Sequence, residues 1–148
     1  MKIYVGTVLL DSNNRIFLIK ESDENNIGKG KWDLPGGLVK PEESLIDAAT
    51  REAKEETGYD AEVISLIGCY KSLKGEKSWI YVVFELKSVG QQKNNIDPEV
   101  TEGKWFTEEQ LMSLSDKEIV HSDMKLVYGV AKEGKGLPLE TVKFIKYN

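Results

Sequence analysis

The chain is expected to fold as a mixed α/β or α+β domain. Three features predict this: alternating apolar strands at the N-terminus, an amphipathic helical segment around residues 45–57, and further strand-like runs beyond it. A length of 148 residues fits one domain spanning 1–148.

Residues 2–10 read as a strand with Ile3, Val5, Thr7 and Leu9 on one face. Asp11 to Asn14 is turn chemistry, and Ile16 to Lys20 reads as the returning strand of a hairpin. Polar residues with Gly28 and Gly30 form a loop leading to Trp32-Asp33-Leu34-Pro35-Gly36-Gly37. A helix is predicted over Leu45 to Thr57. Strands follow over Val63 to Tyr70 and Trp79 to Lys87, the second apolar enough for a sheet interior. Lys104 to Phe106 reads as a short strand, Glu108 to Leu114 and Lys117 to Ala131 as helices, and Val142 to Tyr147 as a last strand.

Apolar residues make up 40% and charged residues 30%, the balance of a globular protein. The 20 basic and 25 acidic residues leave a net charge of −5, which argues against duplex nucleic acid or an anionic membrane as partner. No apolar run approaches the roughly 18 residues of a membrane span. The N-terminal apolar stretch is broken by Lys2, Gly6 and Asp11, unlike a signal peptide. Cys69 is the only cysteine, so no internal disulfide forms and a cytoplasmic setting is expected. It is expected to be a buried, inert thiol. His121, the only histidine, falls on a predicted helix with a surface or capping role. One Cys and one His cannot build the usual zinc sites, so any metal is expected to be a hard cation held by oxygen.

The informative segment is Gly37 to Tyr59. Ser44 and Asp47 have capping-box spacing, Leu45, Ile46, Ala49 and Ala53 form the apolar stripe, and Gly58 suits the residue that ends the helix. At about 100° per residue, Glu52, Glu55 and Glu56 fall within an arc of roughly 100°. Three like charges so close repel, and a divalent cation relieves the conflict. Mg²⁺ favours such oxygens and keeps positions for water and phosphate. Arg51, one of two arginines, carries a fork able to hold Glu52 or Glu55. Glu43 precedes the helix and either folds back toward Arg51 or faces solvent.

Gly37, Glu43 and the run Arg51-Glu52-Ala53-Lys54-Glu55-Glu56-Thr57-Gly58-Tyr59 resemble the Nudix box. Every fixed position of the box is matched. Ala53 is small where a bulky aliphatic is usual, and Tyr59 is aromatic where an aliphatic is usual. Both departures concern packing rather than ligation. The resemblance implies an α/β/α sandwich around a mixed β-sheet. It also implies Mg²⁺-dependent hydrolysis, with Mn²⁺ as the alternative ion, of a phosphoanhydride in a nucleoside diphosphate-linked substrate. Glu52, Glu55, Glu56 and the Gly36 carbonyl would ligate the metal, Arg51 would orient the glutamates, and Glu52 or a later acid would be the general base.

Glu99 and Glu102, just ahead of Trp105, are the later acids, against the reading of exposed loop or strand-end carboxylates, and Glu102 joins Glu52 and Arg51 as a catalytic candidate. Lys20, Lys29 and Lys31 are candidates for substrate phosphates, against the reading of ordinary solvated lysines. Trp32 either walls the pocket or packs. Tyr4, Tyr70, Tyr81 and Trp105 are expected to pack. A nucleoside triphosphate-type substrate is favoured over nucleotide sugars, ADP-ribose and dinucleoside polyphosphates. The alternatives are a nucleotide-sensing module that binds without cleaving and a calcium-binding acidic helix. A homodimer through exposed strands is compatible with the pattern.

Overall fold

The computed structural model describes residues 1–22 and 29–148. Gly28, expected in a loop, lies outside the described residues. The strands are β1 (Lys2–Leu10), β2 (Ile16–Glu21), β3 (Gly36–Leu38), β4 (Asp60–Lys74), β5 (Lys77–Val89) and β6 (Val100–Phe106). The helices are α1 (Leu45–Thr57), α2 (Glu108–Ser113) and α3 (Asp123–Lys132), followed by a 3₁₀ turn at Leu139–Thr141. One mixed sheet runs β4-β5-β1-β2-β6, with β3 added against β1. The β1–β5 pair is parallel and the other pairs are antiparallel.

Successive side chains of a strand point to opposite faces, and the central strands are apolar on both. Val8, Leu10, Ile16 and Leu18 join Trp32 and Leu34 in a core with Leu111, Ile119, Met124, Val127 and Tyr128. Val5, Leu9, Phe17, Ile19 and Phe84 form a second core with Ala48, Ala49 and Ala53 of α1. The sheet therefore carries helices on both faces, an α/β/α sandwich. The small alanines let α1 lie close to the sheet, which explains why the box tolerates Ala53. Tyr59, the other departure, sets its ring 5.9 Å from Phe17 and 5.3 Å from Trp105, edge to face.

The sheet is split where function is expected. β1 and β2 meet only at Leu10 and Ile16, then diverge. The segment 32–38 enters the gap: Ile19 and Asp33 exchange backbone bonds of 3.0 and 2.8 Å, the Thr7 amide donates to Pro35 at 2.8 Å, and Gly36 pairs with Gly6. Trp32 is bonded in turn to Glu118 and Val120.

The ends of α1 are well satisfied. Ser44 Oγ accepts from the Asp47 amide at 3.0 Å, one half of the expected capping box. Gly58 takes the left-handed conformation at φ 77° and donates to the Lys54 carbonyl. The loop between β5 and β6 then covers the remaining carbonyls. The Asp97 amide donates to Glu55, Gln92 Nε2 to Thr57 and the Lys93 amide to Gly58, at 2.7, 2.9 and 2.7 Å. A side chain at Gly58 would strike the Lys93 carbonyl, which reinforces the demand for glycine.

The structure corrects several expectations. β3 was not expected; three residues, two of them glycine, carry no strand pattern. β4, β5 and β6 extend beyond their predicted bounds, because cross-strand pairing prolongs strands past their apolar stretches. Residues 117–122 are not helical; Glu118 to Val120 are bonded to Trp32, and α3 starts at Asp123. Residues 142–147 form no strand, and Phe144, Ile145 and Tyr147 are exposed. Cys69 is exposed on β4, the terminal strand of the sheet order, whose outer side meets only an isolated bridge at Leu66–Leu137 among the described residues. Among the described residues no helix is long and apolar enough to cross a membrane.

Removing the Ser44 cap leaves a first-turn amide without its partner. Ser44→Ala is expected to destabilise the chain by about 1 kcal/mol; a denaturation midpoint equal to the parent's would refute that role.

Candidate active site

Arg51, inside α1, spends every guanidinium N–H on this site. Its Nε donates to Glu43 Oε2 at 2.6 Å and its Nη2 to Glu43 Oε1 at 2.8 Å, a two-point grip. Nη1 donates to Glu52 Oε1 at 2.8 Å and to Glu55 Oε2 at 3.1 Å, and Nη2 also reaches the Leu38 carbonyl at 3.1 Å. Of the two placements open to Glu43, the structure takes the fold back onto Arg51. The Arg51 hydrogen bonds hold the Glu43 carboxyl below the usual range.

Glu52 is 9% exposed and Glu56 6% exposed, whereas Glu55 faces solvent. Glu52 lies against the Gly37 backbone, so a Cβ there would sit 2.5 Å from its carboxylate. The box glycine is thus needed for the close approach of strand and helix. Burial raises the Glu52 carboxyl, and the hydrogen bond from Arg51 opposes that rise. Glu56 accepts from the Gly36 amide at 2.6 Å. Its carboxyl also meets that of Glu21, at the end of β2. Burial raises the Glu56 carboxyl most, and Glu21 adds to it.

The remaining candidates separate. Lys20 places its ammonium 4.6 Å from the centre of the Trp32 ring and 3.9 Å from Glu102. Trp32 is only 6% exposed, with Phe106 at its edge and the Lys104 ammonium 5.2 Å away. Trp32 therefore packs in the core and supports two lysines. Lys29 lies in an exposed turn and Lys31 is half-buried beside Trp32. Glu102 and Glu56 border one cleft of about 260 Å³, closed by Phe17, Asp97 and Gly103. The Glu99 carbonyl holds Ser22, and its side chain is exposed. His121 precedes α3 rather than lying on it. It sits half-buried with its ring 6.2 Å from Tyr81, and burial pushes its pKa down.

Sequence reasoning missed Glu21, Asp33, Asp97 and Lys104. None stands at a motif position. A partial signal existed for Asp33, an acid between apolar Trp32 and Leu34. Among the described residues no three His, Cys, Asp or Glu side chains form a ready-made metal cage. Arg51 instead binds Glu43, Glu52 and Glu55 at once. The donor chemistry still fits Mg²⁺, which needs only one or two carboxylates and keeps several waters. Glu52, Glu56 and Glu55 supply hard oxygens on one helix beside an open cleft.

Burial raises the Asp33 carboxyl from 3.8 to about 7, with the Leu34 amide opposing and Glu21 adding. The folded chain thus binds this proton more tightly than the unfolded chain. Its contribution to stability is full below about pH 4 and is lost as pH rises to about 7. Asp33→Asn is expected to gain melting temperature relative to the parent across that window and to run parallel above it. A constant offset at every pH would contradict the assignment.

The sequence matches the NUDIX domain family over residues 2–127. It is 43% identical over 67 residues to a putative 8-oxo-dGTP diphosphatase of Bacillus subtilis strain 168, covering 45% of this chain and 42% of that protein. It is 40% identical over 84 residues to an ADP-ribose pyrophosphatase of Methanocaldococcus jannaschii, covering 55% of this chain and 48% of that protein. The chain thus spans less than half the length of these curated relatives. A solved NUDIX hydrolase from Nitrosomonas europaea superposes with TM-score 0.83 at 20% identity, covering 97% of each chain, a likeness of fold. With the match running over most of the chain and the box residues assembled around Arg51, the protein belongs to the NUDIX domain family.

Proposed function

We propose that this chain hydrolyses a phosphoanhydride in a nucleoside diphosphate-linked substrate, with a nucleoside triphosphate-type substrate favoured. The reaction is attack of water on phosphorus, dependent on Mg²⁺ or Mn²⁺. One observation carries the reading: the Arg51 guanidinium ties Glu43, ahead of the helix, to Glu52 and Glu55 on the helix that also presents Glu56. The names of the bacterial and archaeal relatives, a diphosphatase and a pyrophosphatase, support it.

Glu52, Glu55 and Glu56 would hold the cation, with the Gly36 carbonyl as a backbone donor. When bound, the cation neutralises phosphate charge and lowers the pKa of water. The protein carries −5 and the substrate is polyanionic, so the two repel without that neutralisation. Arg51 keeps two glutamates oriented before substrate arrives, which lowers the cost of assembling the site. Lys20, over the Trp32 ring, and Lys31, next to Trp32 in the chain, are the cationic candidates for phosphates, and Lys29 is the third. Glu102, on the rim of the cleft that Glu56 also lines, is the proposed general base, and Glu52 is the alternative.

The decisive experiment is a metal-supplemented hydrolysis screen over nucleoside triphosphates, oxidised nucleotides, nucleotide sugars and ADP-ribose, with products identified by mass. The double variant Glu55→Gln, Glu56→Gln is expected to lose at least about a hundredfold in turnover; parental turnover refutes the reading. Glu102→Gln is expected to lower kcat about a hundredfold. Unchanged kcat removes Glu102 from the reaction and leaves the base role to Glu52.

A further inference from the structure

The geometry points to a second ligand site, separate from the cleft beside the box: a donor-rich pocket between the β1–β2 turn, the end of β5 and Tyr59, which binds a phosphate group through Arg15, Tyr59 and Lys87. The site goes beyond the hydrolysis proposed above, uses none of the box carboxylates and requires no metal.

The pocket encloses about 310 Å³, with Asn13, Arg15, Tyr59, Lys87, Ser88 and Trp105 on its walls. That volume is near the lower bound of small-molecule sites. Arg15, the second of the two arginines, is held at one edge and free at the other. Its Nε donates to Asp11 Oδ2 at 2.7 Å, and its guanidinium stands 5.9 Å from the centre of the Trp105 ring. Among the described residues no acceptor takes Nη1 or Nη2. Two guanidinium nitrogens present N–H groups at a spacing that matches two phosphate oxygens. Asp11, the acid among the described lining residues, is already satisfied. It accepts from the Asn13 and Arg15 amides, both at 2.9 Å, as well as from Arg15 Nε. With Lys87 also on the wall, the charged lining residues carry one net positive charge, in a chain of net charge −5.

Tyr59, aromatic where the box usually has an aliphatic, supplies a further donor. Its oxygen accepts from Trp105 Nε1 at 3.2 Å, which leaves its own O–H to donate. Phe17 packs edge to face on Tyr59 and Trp105, at 5.9 and 5.1 Å. Phe17 lines the cleft that Glu56 borders, the other two rings line this pocket, and no described residue lines both. The three rings therefore partition the two sites. The turn that carries Arg15 is also fixed in advance. The Asp11 amide donates to the Arg15 carbonyl at 3.1 Å and the Asn14 amide to the Asp11 carbonyl at 3.0 Å. From α3, the Tyr128 hydroxyl donates to the Asn14 carbonyl at 2.7 Å. The carbonyls that end α1, which would repel an anion, are taken up by the β5–β6 loop. Donors ordered before the ligand arrives lower the entropy cost of binding it.

The test is a titration of the isotope-labelled full chain, in EDTA, with inorganic phosphate and, in a parallel arm, with a nucleoside monophosphate. EDTA removes any metal that could bridge phosphate to the box. Saturable shifts are expected at the Trp105 indole N–H and the Arg15 amide, with the Gly36 amide unmoved. Tyr59→Phe keeps the ring and loses one donor, and is expected to weaken binding about tenfold. Arg15→Lys keeps the charge and loses the fork, and is expected to weaken it about tenfold as well. Arg15→Gln is expected to abolish saturable binding. Lys74→Gln removes a positive charge at the end of β4 and is expected to bind as the parent does. Tighter binding of the monophosphate assigns the pocket to an esterified phosphate, and equal affinity assigns it to the free ion. No saturable shift with either probe overturns the site, as does parental affinity in Arg15→Gln and Tyr59→Phe. Weakening in Lys74→Gln equal to that in Arg15→Gln reduces the binding to overall charge and overturns the site too. Should the Arg15 variants fail to fold, Tyr59→Phe decides: a lower melting temperature with parental affinity gives Tyr59 a packing role alone and overturns the proposal.

Discussion

The site depends on one side chain whose hydrogen bonds are all committed. A guanidinium has five N–H groups in one plane, and Arg51 uses them on Glu43, Glu52, Glu55 and the Leu38 carbonyl. Three carboxylates that would repel in isolation are thereby held in a defined array. A lysine has neither the fork nor the number of donors to do this. The arginine also ties the helix to the strand before it, because Leu38 ends β3. Local electrostatics and the path of the backbone are therefore joined at this residue.

A second constraint is the split between β1 and β2. A continuous sheet would satisfy more backbone groups by regular pairing, but it would leave no room for the Gly36–Gly37 segment. The inserted residues compensate by taking partners on both sides, Ile19 and Thr7. Absence of a side chain at Gly36 lets the segment lie against the Val5 backbone of β1, and at Gly37 it lets Glu52 approach the backbone, while the Gly36 amide donates to Glu56. The far end of α1 is secured in a complementary way. The β5–β6 loop donates to its last carbonyls and also supplies Asp97 to the rim of the cleft. Elements distant in sequence thus meet around one helix.

Legibility in the sequence followed from range. The boundaries of α1 were readable at Leu45 and Thr57 because caps and periodicity are local properties. The box spacing marked Arg51, Glu52, Glu55 and Glu56, since residues three and four apart on a helix must be neighbours. Trp32 was ambiguous, as its neighbours Lys20, Lys104 and Phe106 come from other strands. His121 was placed on a helix because the apolar period runs on through Ile119 and Val120. In the folded chain those residues instead zip against Trp32, and tertiary pairing prevails over local preference. Cys69 looked buried among apolar neighbours, but an edge position is not visible in a single strand.

The sequence by itself determined the mixed class, the box helix with its ends, the cluster of hard oxygen donors and the exclusion of zinc-type ligation. Each of these follows from composition or from spacing within a few turns of chain. Only the tertiary structure decided that Glu43 turns back to Arg51, that Glu21 meets Glu56, that Asp33 pairs with Ile19, and that Glu102 shares a cleft with the box. Those contacts join residues across turns, bulges and separate strands. Their existence depends on strand register and on how closely backbone can approach backbone, quantities set when the whole sheet closes around its two cores.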